Sequence, residues 1–223
     1  MDMLTGLLLI AVPLAFNACF FMLQRAFEYP DILRKPTDYV LRRFHAGGAP
    51  LRRLWYAFAF TALLFTPVPV LVHQLFQPAA PRYLAVGTVL GILAGVVQVL
   101  GLIRWSFLVP SLAEMYVDPA ATPATRDGVA VVFQAFHRYA GVALGEHLGY
   151  ILTSAWTLCL CAALIQTGFV SPWLGWLGIL PALGVLVGVF EETGFKAAGV
   201  INAISYLVWS IWLVALGAAL LLR

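Results

Sequence analysis

Residues 83–103 read YLAVGTVLGILAGVVQVLGLI, twenty-one positions without a charge, and Arg104 follows at once. At ~1.5 Å per residue, a helix of this length covers the ~30 Å of hydrocarbon in a bilayer. Gly87, Gly91 and Gly95 recur every four residues. On a helix they form one face of small residues, along which another backbone can approach closely. This run therefore predicts a transmembrane helix packed among others.

Five more apolar runs flank it, at 3–24, 54–77, 141–166, 173–190 and 198–222. Hydrophobic residues make up 62% of the chain and charged residues 10%. A soluble domain would be nearer ~45–50% and ~25%. The expected fold is all-α: a polytopic membrane protein, one domain over residues 1–223, built as a bundle of six transmembrane helices. The first run has only Asp2 as a charge before it, and its basic flank, Arg25, comes after it. It is expected to be a span rather than a cleaved signal peptide.

The gaps between runs orient the bundle. The first, third and fifth carry Arg25, Arg34, Lys35, Arg42, Arg43, Arg52 and Arg53, then Arg104, Arg126 and Arg138, then Lys196. Only Arg82 and Arg223 lie on the other side. Positive loops stay in the cytoplasm, so both termini are expected outside. Arginine outnumbers lysine eleven to two, a bias of GC-rich bacterial genomes, and the expected location is a bacterial cytoplasmic (inner) membrane. The net charge of +3 is concentrated at the inner leaflet. This points to anionic lipid as a partner and away from nucleic acid. A membrane-protein partner and a second copy of the chain both remain open.

Local signals add detail. Pro36, Thr37 and Asp38 read as a helix start and Gly47-Gly48 as a stop. Val40, Leu41 and Phe44 share a face there, and a short amphipathic cytoplasmic helix on the inner leaflet is expected. Pro67 and Pro69 predict a kink in the second span. After Pro123 a helical pattern resumes and runs into the fourth span, too long for one crossing, so it should protrude or bend at Gly141. Cys19, Cys159 and Cys161 lie inside spans and form no disulfide framework.

Depth counting places Arg104, Glu146, His147, Glu191 and Glu192 in one layer at the inner interface, with Arg138 and Lys196 close by. Glu191 and Glu192 end a helix, where the dipole disfavours negative charge. Glu146 interrupts an apolar run and needs a cation or a proton. Arg104 is expected to pair with at least one of these three carboxylates. Tyr139, Glu146 and Tyr150, seven and four apart, should share a helix face. The belt of Arg104, Arg138, Glu146, His147, Glu191 and Glu192 admits two readings. One is a structural ring of ion pairs. The other is a site open to the cytoplasm for a proton path, a lipid headgroup or a divalent metal. The histidine and glutamate spacings match no metal motif, and His45, His73, His137 and His147 make no bis-imidazole haem pair. No metal or cofactor is expected, and no motif for nucleophilic catalysis is present.

GLIRW at 101–105 with Leu108-Val109-Pro110, YAGVALGEHLGY at 139–150 with Trp156 beyond it, and YLVWSIWL at 206–213 with Gly217 resemble a bacterial family of small six-span membrane proteins. That family is described as a domain of unknown function, number 4386. The resemblance covers most of the chain. It implies the fold and the location and carries no chemistry to transfer. The leading expectation for function is a non-catalytic structural, regulatory or lipid-binding component. The alternative is a transporter or ion-coupled carrier using the inner belt and the kinked second span. An intramembrane enzyme or a metal- or haem-binding protein comes third. A cavity reaching mid-membrane beside Asn17, Gln98 or the Thr66 to Pro69 kink would favour the alternative. The orientation is tested by Asp2→Cys and Arg223→Cys. Both thiols should react with an impermeant reagent added from outside, and labelling of both only from the cytoplasm would reverse the assignment.

Overall fold

A computed structural model describes residues 2–223. Eight α-helices carry the fold: α1 Asp2–Phe27, α2 Thr37–Phe65, α3 Val68–Leu75, α4 Arg82–Val117, α5 Pro123–Phe136, α6 Gly149–Thr167, α7 Pro172–Val187 and α8 Ala198–Leu221. A 3-10 turn, Asp31–Arg34, links α1 to α2, and another, Gly188–Thr193, extends α7. A π-helical segment, His137–Leu148, joins α5 to α6. Among the described residues there is no strand. Six continuous stretches are long and apolar enough to cross a membrane: Asp2–Phe27, Thr37–Leu75, Arg82–Val117, Pro123–Thr167, Pro172–Thr193 and Ala198–Leu221. The chain is a multi-pass membrane protein of all-α class.

The spans close into a ring. α1 packs on α2, α2 on α4, α4 on α6, α6 on α7, α7 on α8, and α8 returns to α1. The start of α1 and the end of α8 therefore lie at one end, and most of the charge gathers at the other. Small residues permit the contacts. A Cβ on Gly91 would stand 2.6 Å from Pro69 and 2.7 Å from Trp156, and one on Gly217 would stand 2.6 Å from the Gly6 carbonyl oxygen. Lipid tails are as apolar as leucine, so such close fit, rather than hydrophobic burial, holds helices together here.

At the terminal end the centre of the ring is solid. Phe65, Trp156 and Trp209 meet there, with ring centres 5.2 and 5.7 Å apart about Phe65, among Leu9, Val12, Leu160 and Leu213. The Trp209 indole donates to the Thr157 hydroxyl at 2.9 Å, and the Trp212 indole donates to the Leu174 carbonyl at 2.8 Å. Toward the charged end a second cluster is displaced to one side. Trp55 stacks on Trp105 at 4.7 Å, with Phe27 at 5.4 Å from Trp105 and Phe44 at 5.8 Å.

The structure changes one local expectation and fills in others. The short amphipathic helix is not a separate surface element. It is the first part of α2, broken at Gly48, whose φ of 54° suits glycine. Its apolar residues Val40, Leu41 and Phe44 are buried against the protein, because the Trp105 cluster offers them a dry surface inside the bundle. The third gap is mostly helical. α4 has 36 residues, about 54 Å, so it runs past the ~30 Å of hydrocarbon. The fourth span is one 45-residue stretch. It begins where the Thr122 hydroxyl caps the Thr125 amide at 3.1 Å and Pro123 takes the first helical position. The kink at Thr66, Pro67, Val68 and Pro69 separates α2 from α3, with the Thr66 hydroxyl donating to the Leu63 carbonyl at 2.7 Å.

These contacts make a paired prediction. Gly91→Val forces a side chain into Pro69 and Trp156 and should cost ~1–3 kcal/mol as overpacking, lowering the thermal midpoint in detergent. Gly128→Ala, with open space around the new carbon, should leave the midpoint unchanged or raise it.

Candidate functional site

Toward the charged end the ring encloses a cavity of about 570 Å³. Every span contributes to its wall, α7 through its 3-10 extension at Gly188. The roof lies near mid-bundle. Asn17 donates to the Ser210 hydroxyl at 2.9 Å and ties α1 to α8. Gln98 reaches Thr153 at 3.4 Å, and buried Asn202 donates to the Val185 carbonyl at 2.7 Å. Asn17, Gln98 and Asn202 all line the cavity. Below the Asn17–Ser210 contact, the α1 and α8 faces of the wall carry Phe20, Phe21, Ala203 and Leu207. Phe21 is 47% exposed and Leu207 44%, so this edge of the cavity lies on the outer surface of the bundle, where lipid would be.

All six belt residues, Arg104, Arg138, Glu146, His147, Glu191 and Glu192, line this cavity. Their pairing differs from the sequence expectation. Arg34 donates to Glu191 at 2.7 Å, and Arg138 donates to Glu192 at 3.1 Å. Both pairs sit at the exposed rim. Among the described residues no carboxylate lies at ion-pairing distance from Arg104. The direct Arg104 pair is therefore corrected. Its guanidinium donates instead to the Gly101 carbonyl, lies against the Gly141 backbone, and sits 5.3 Å from the Trp105 ring centre. Depth counting put Arg104 at the right level. It could not see that the turn Asp31–Arg34 folds back beneath the bundle and brings Arg34 to Glu191 first. Lys196, another candidate partner, is exposed and stands outside the cavity.

The π-helical segment accounts for the orientation of Glu146. Bonding from i to i+5 places residues four to five apart on one face. His137, Val142, Glu146 and Tyr150 follow that spacing, and all four line the cavity. The expected face of Tyr139, Glu146 and Tyr150 assumed α-helical turns. Tyr139 is in fact 66% exposed and no part of the wall. The glycines at 141 and 145 let the wide segment form against α4: a Cβ on Gly101 would stand 2.8 Å from the Gly145 Cα.

Glu146 has neither a hydrogen bond nor an ion pair among the described residues, and the buried His137 Nδ1 has no hydrogen-bond partner. Tyr29, between α1 and the first 3-10 turn, also lines the cavity. Burial raises its hydroxyl pKa above the ordinary value. The Glu146 charge adds to that rise and the Arg104 charge opposes it. Sequence reasoning missed Tyr29, His137 and Tyr206 as wall residues; the Tyr29-Pro30 pair just past a basic helix end was the available signal for Tyr29. Among the described residues, no three His, Cys, Asp or Glu side chains converge to hold a metal ion.

The rim pairs predict a weak coupling. In a double-mutant cycle, Arg34→Ala with Glu191→Ala should show ~0.2–1 kcal/mol, as exposed ion pairs do. It should vanish in ~1 M salt, where screening acts within ~3 Å. Arg104→Ala with Glu191→Ala should be additive.

A family model described as a domain of unknown function (DUF4386) matches residues 4–217. No curated protein matches the chain, and no solved structure does.

Proposed function

The chain belongs to the DUF4386 family, and from its cavity we propose that it is a non-catalytic membrane protein that binds one small amphiphilic molecule. The observation that carries this reading is the wall. Charged and polar groups gather around Arg104 and Glu146, while aromatic side chains at Phe16, Phe20, Phe21, Phe58 and Trp105 run toward an edge exposed where lipid would be. Ligand sites are mostly apolar, with a few convergent polar groups and ~300–1,000 Å³ of space. The basic loops support a cytoplasmic charged end, and on that orientation the ligand enters from the inner leaflet of a bacterial cytoplasmic membrane.

A second reading, a carrier, is favoured by one observation. The cavity reaches Asn17 and Gln98 from the charged end, while Phe65, Trp156 and Trp209 seal the other end. Access from one side with a seal on the other is the geometry of one state of a carrier. The broken second span at Pro67 lies beside that seal, as discontinuous helices do near transporter sites.

The test is retention of a bound amphiphile. The full chain purified in mild detergent should keep a stoichiometric amphiphile through exchange, seen by native mass spectrometry. Ala203→Trp, at the exposed edge of the cavity, should lower its occupancy about tenfold, or ~1.4 kcal/mol. Lipid in the wild type no more enriched than in bulk detergent, with no effect of Ala203→Trp, would sink the reading.

A further inference from the structure

The wall of the cavity poses a charge problem that the chain does not solve for itself. Arg104 is only 9% exposed. A guanidinium carries five donors, and here the Gly101 carbonyl takes one. Burying a cation without a carboxylate in direct contact is expensive. Glu146 faces the same cavity from the adjacent π-helical segment with no direct partner. The remaining cations of the wall, Arg34 and Arg138, are already engaged by Glu191 and Glu192. Arg104 and Glu146 cannot simply close on each other, because Gly101, Gly141 and Trp105 hold the guanidinium in place.

A ligand that completes this wall with Glu146 ionised brings both signs of charge. Arg34, Arg104 and Arg138 face Glu146, Glu191 and Glu192 across the lining, so with Glu146 ionised and the histidines neutral the cavity has no net charge. A net anion or a net cation would leave one buried group opposed. We infer that the cavity takes a zwitterion whose phosphate sits on Arg104 and whose primary ammonium sits on Glu146, with an apolar tail leaving between α1 and α8. This deepens the reading of the cavity as an amphiphile site and rests on it.

The chemistry of each half is specific. The fork of an arginine matches the oxygens of a phosphate in two parallel bonds. A primary ammonium donates hydrogen bonds to a carboxylate, which a quaternary ammonium cannot do. The rings of Tyr29, Tyr150 and Tyr206 border the same space and add attraction for a cation over an aromatic face. Phe20, Phe21 and Leu207 continue the path to the exposed edge, where a tail would meet lipid. The phosphate–ammonium pair is shared by an ethanolamine phospholipid and by its free headgroup, and the experiment separates the two.

The full chain, delipidated in detergent, is titrated with short-chain phosphatidylethanolamine, phosphatidylcholine and phosphatidylglycerol, and bound lipid is read by native mass spectrometry. The ethanolamine lipid should bind about tenfold more tightly than the other two, a difference of ~1.4 kcal/mol. Glu146→Gln should abolish the preference, bringing the ethanolamine lipid to the level of the choline lipid. Arg104→Gln should weaken all three. O-Phosphoethanolamine that competes off the short-chain lipid makes the headgroup alone sufficient. Retained preference without competition assigns the site to the membrane lipid. Equal binding of the three lipids, all weakened by Ala203→Trp, overturns the zwitterion and leaves the amphiphile reading standing. Binding of none of them, or binding indifferent to Ala203→Trp, removes both. Where Glu146→Gln does not fold, the wild-type preference decides alone.

Discussion

What lines the cavity depends on how closely α4 approaches the wide helical segment at Gly101 and Gly145. In a bilayer core, helices gain little by hiding apolar surface, so they associate where backbones can touch. With a side chain at either glycine the two helices would have to separate. The wide segment would lose its support, and the Arg104 side chain would lose the Gly141 surface against which it lies. The close contact therefore fixes the two deep charges of the cavity, Arg104 and Glu146, one from each helix.

Side-chain volume explains why the bundle is solid at one end and hollow at the other. Six helices in a ring leave a centre that only large side chains can fill. Near the termini Trp156, Trp209 and Phe65 do so. Toward the charged end the large aromatics, Trp55, Trp105, Phe27 and Phe44, are drawn to one side by the first part of α2. Glycines and short side chains occupy much of the opposite wall. Space remains, and polar groups that would be costly in lipid face into it rather than outward.

The two kinds of charge in the wall differ in accessibility. Glu191 and Glu192 meet arginines at a wet rim, where pairing contributes little to stability. Arg104 and Glu146 lie deeper, where an unpaired charge is expensive and where a ligand would gain most by neutralising it. A structural belt would have paired the deep groups first. This chain pairs the shallow ones and leaves the deep ones facing the cavity.

Much of the architecture was legible in the sequence, because a bilayer imposes simple rules on length and apolarity. The six runs, the kink at Pro67 and Pro69, the glycine face of α4 and the common level of Arg104, Glu146 and Glu191 all follow from counting along helices of known rise. The sequence also determined that Arg104 and Glu146 would need partners. What only the tertiary structure decided is where those partners are. Counting assumes a straight α-helix, so it missed the widened turn from His137 to Leu148 and placed Tyr139 on the wrong face. It treats connections as passive, so it missed the Asp31–Arg34 turn that delivers Arg34 to Glu191. Whether six helices close around a filled or an empty centre depends on side-chain volumes meeting from all six at once, and no reading of one helix at a time contains that sum.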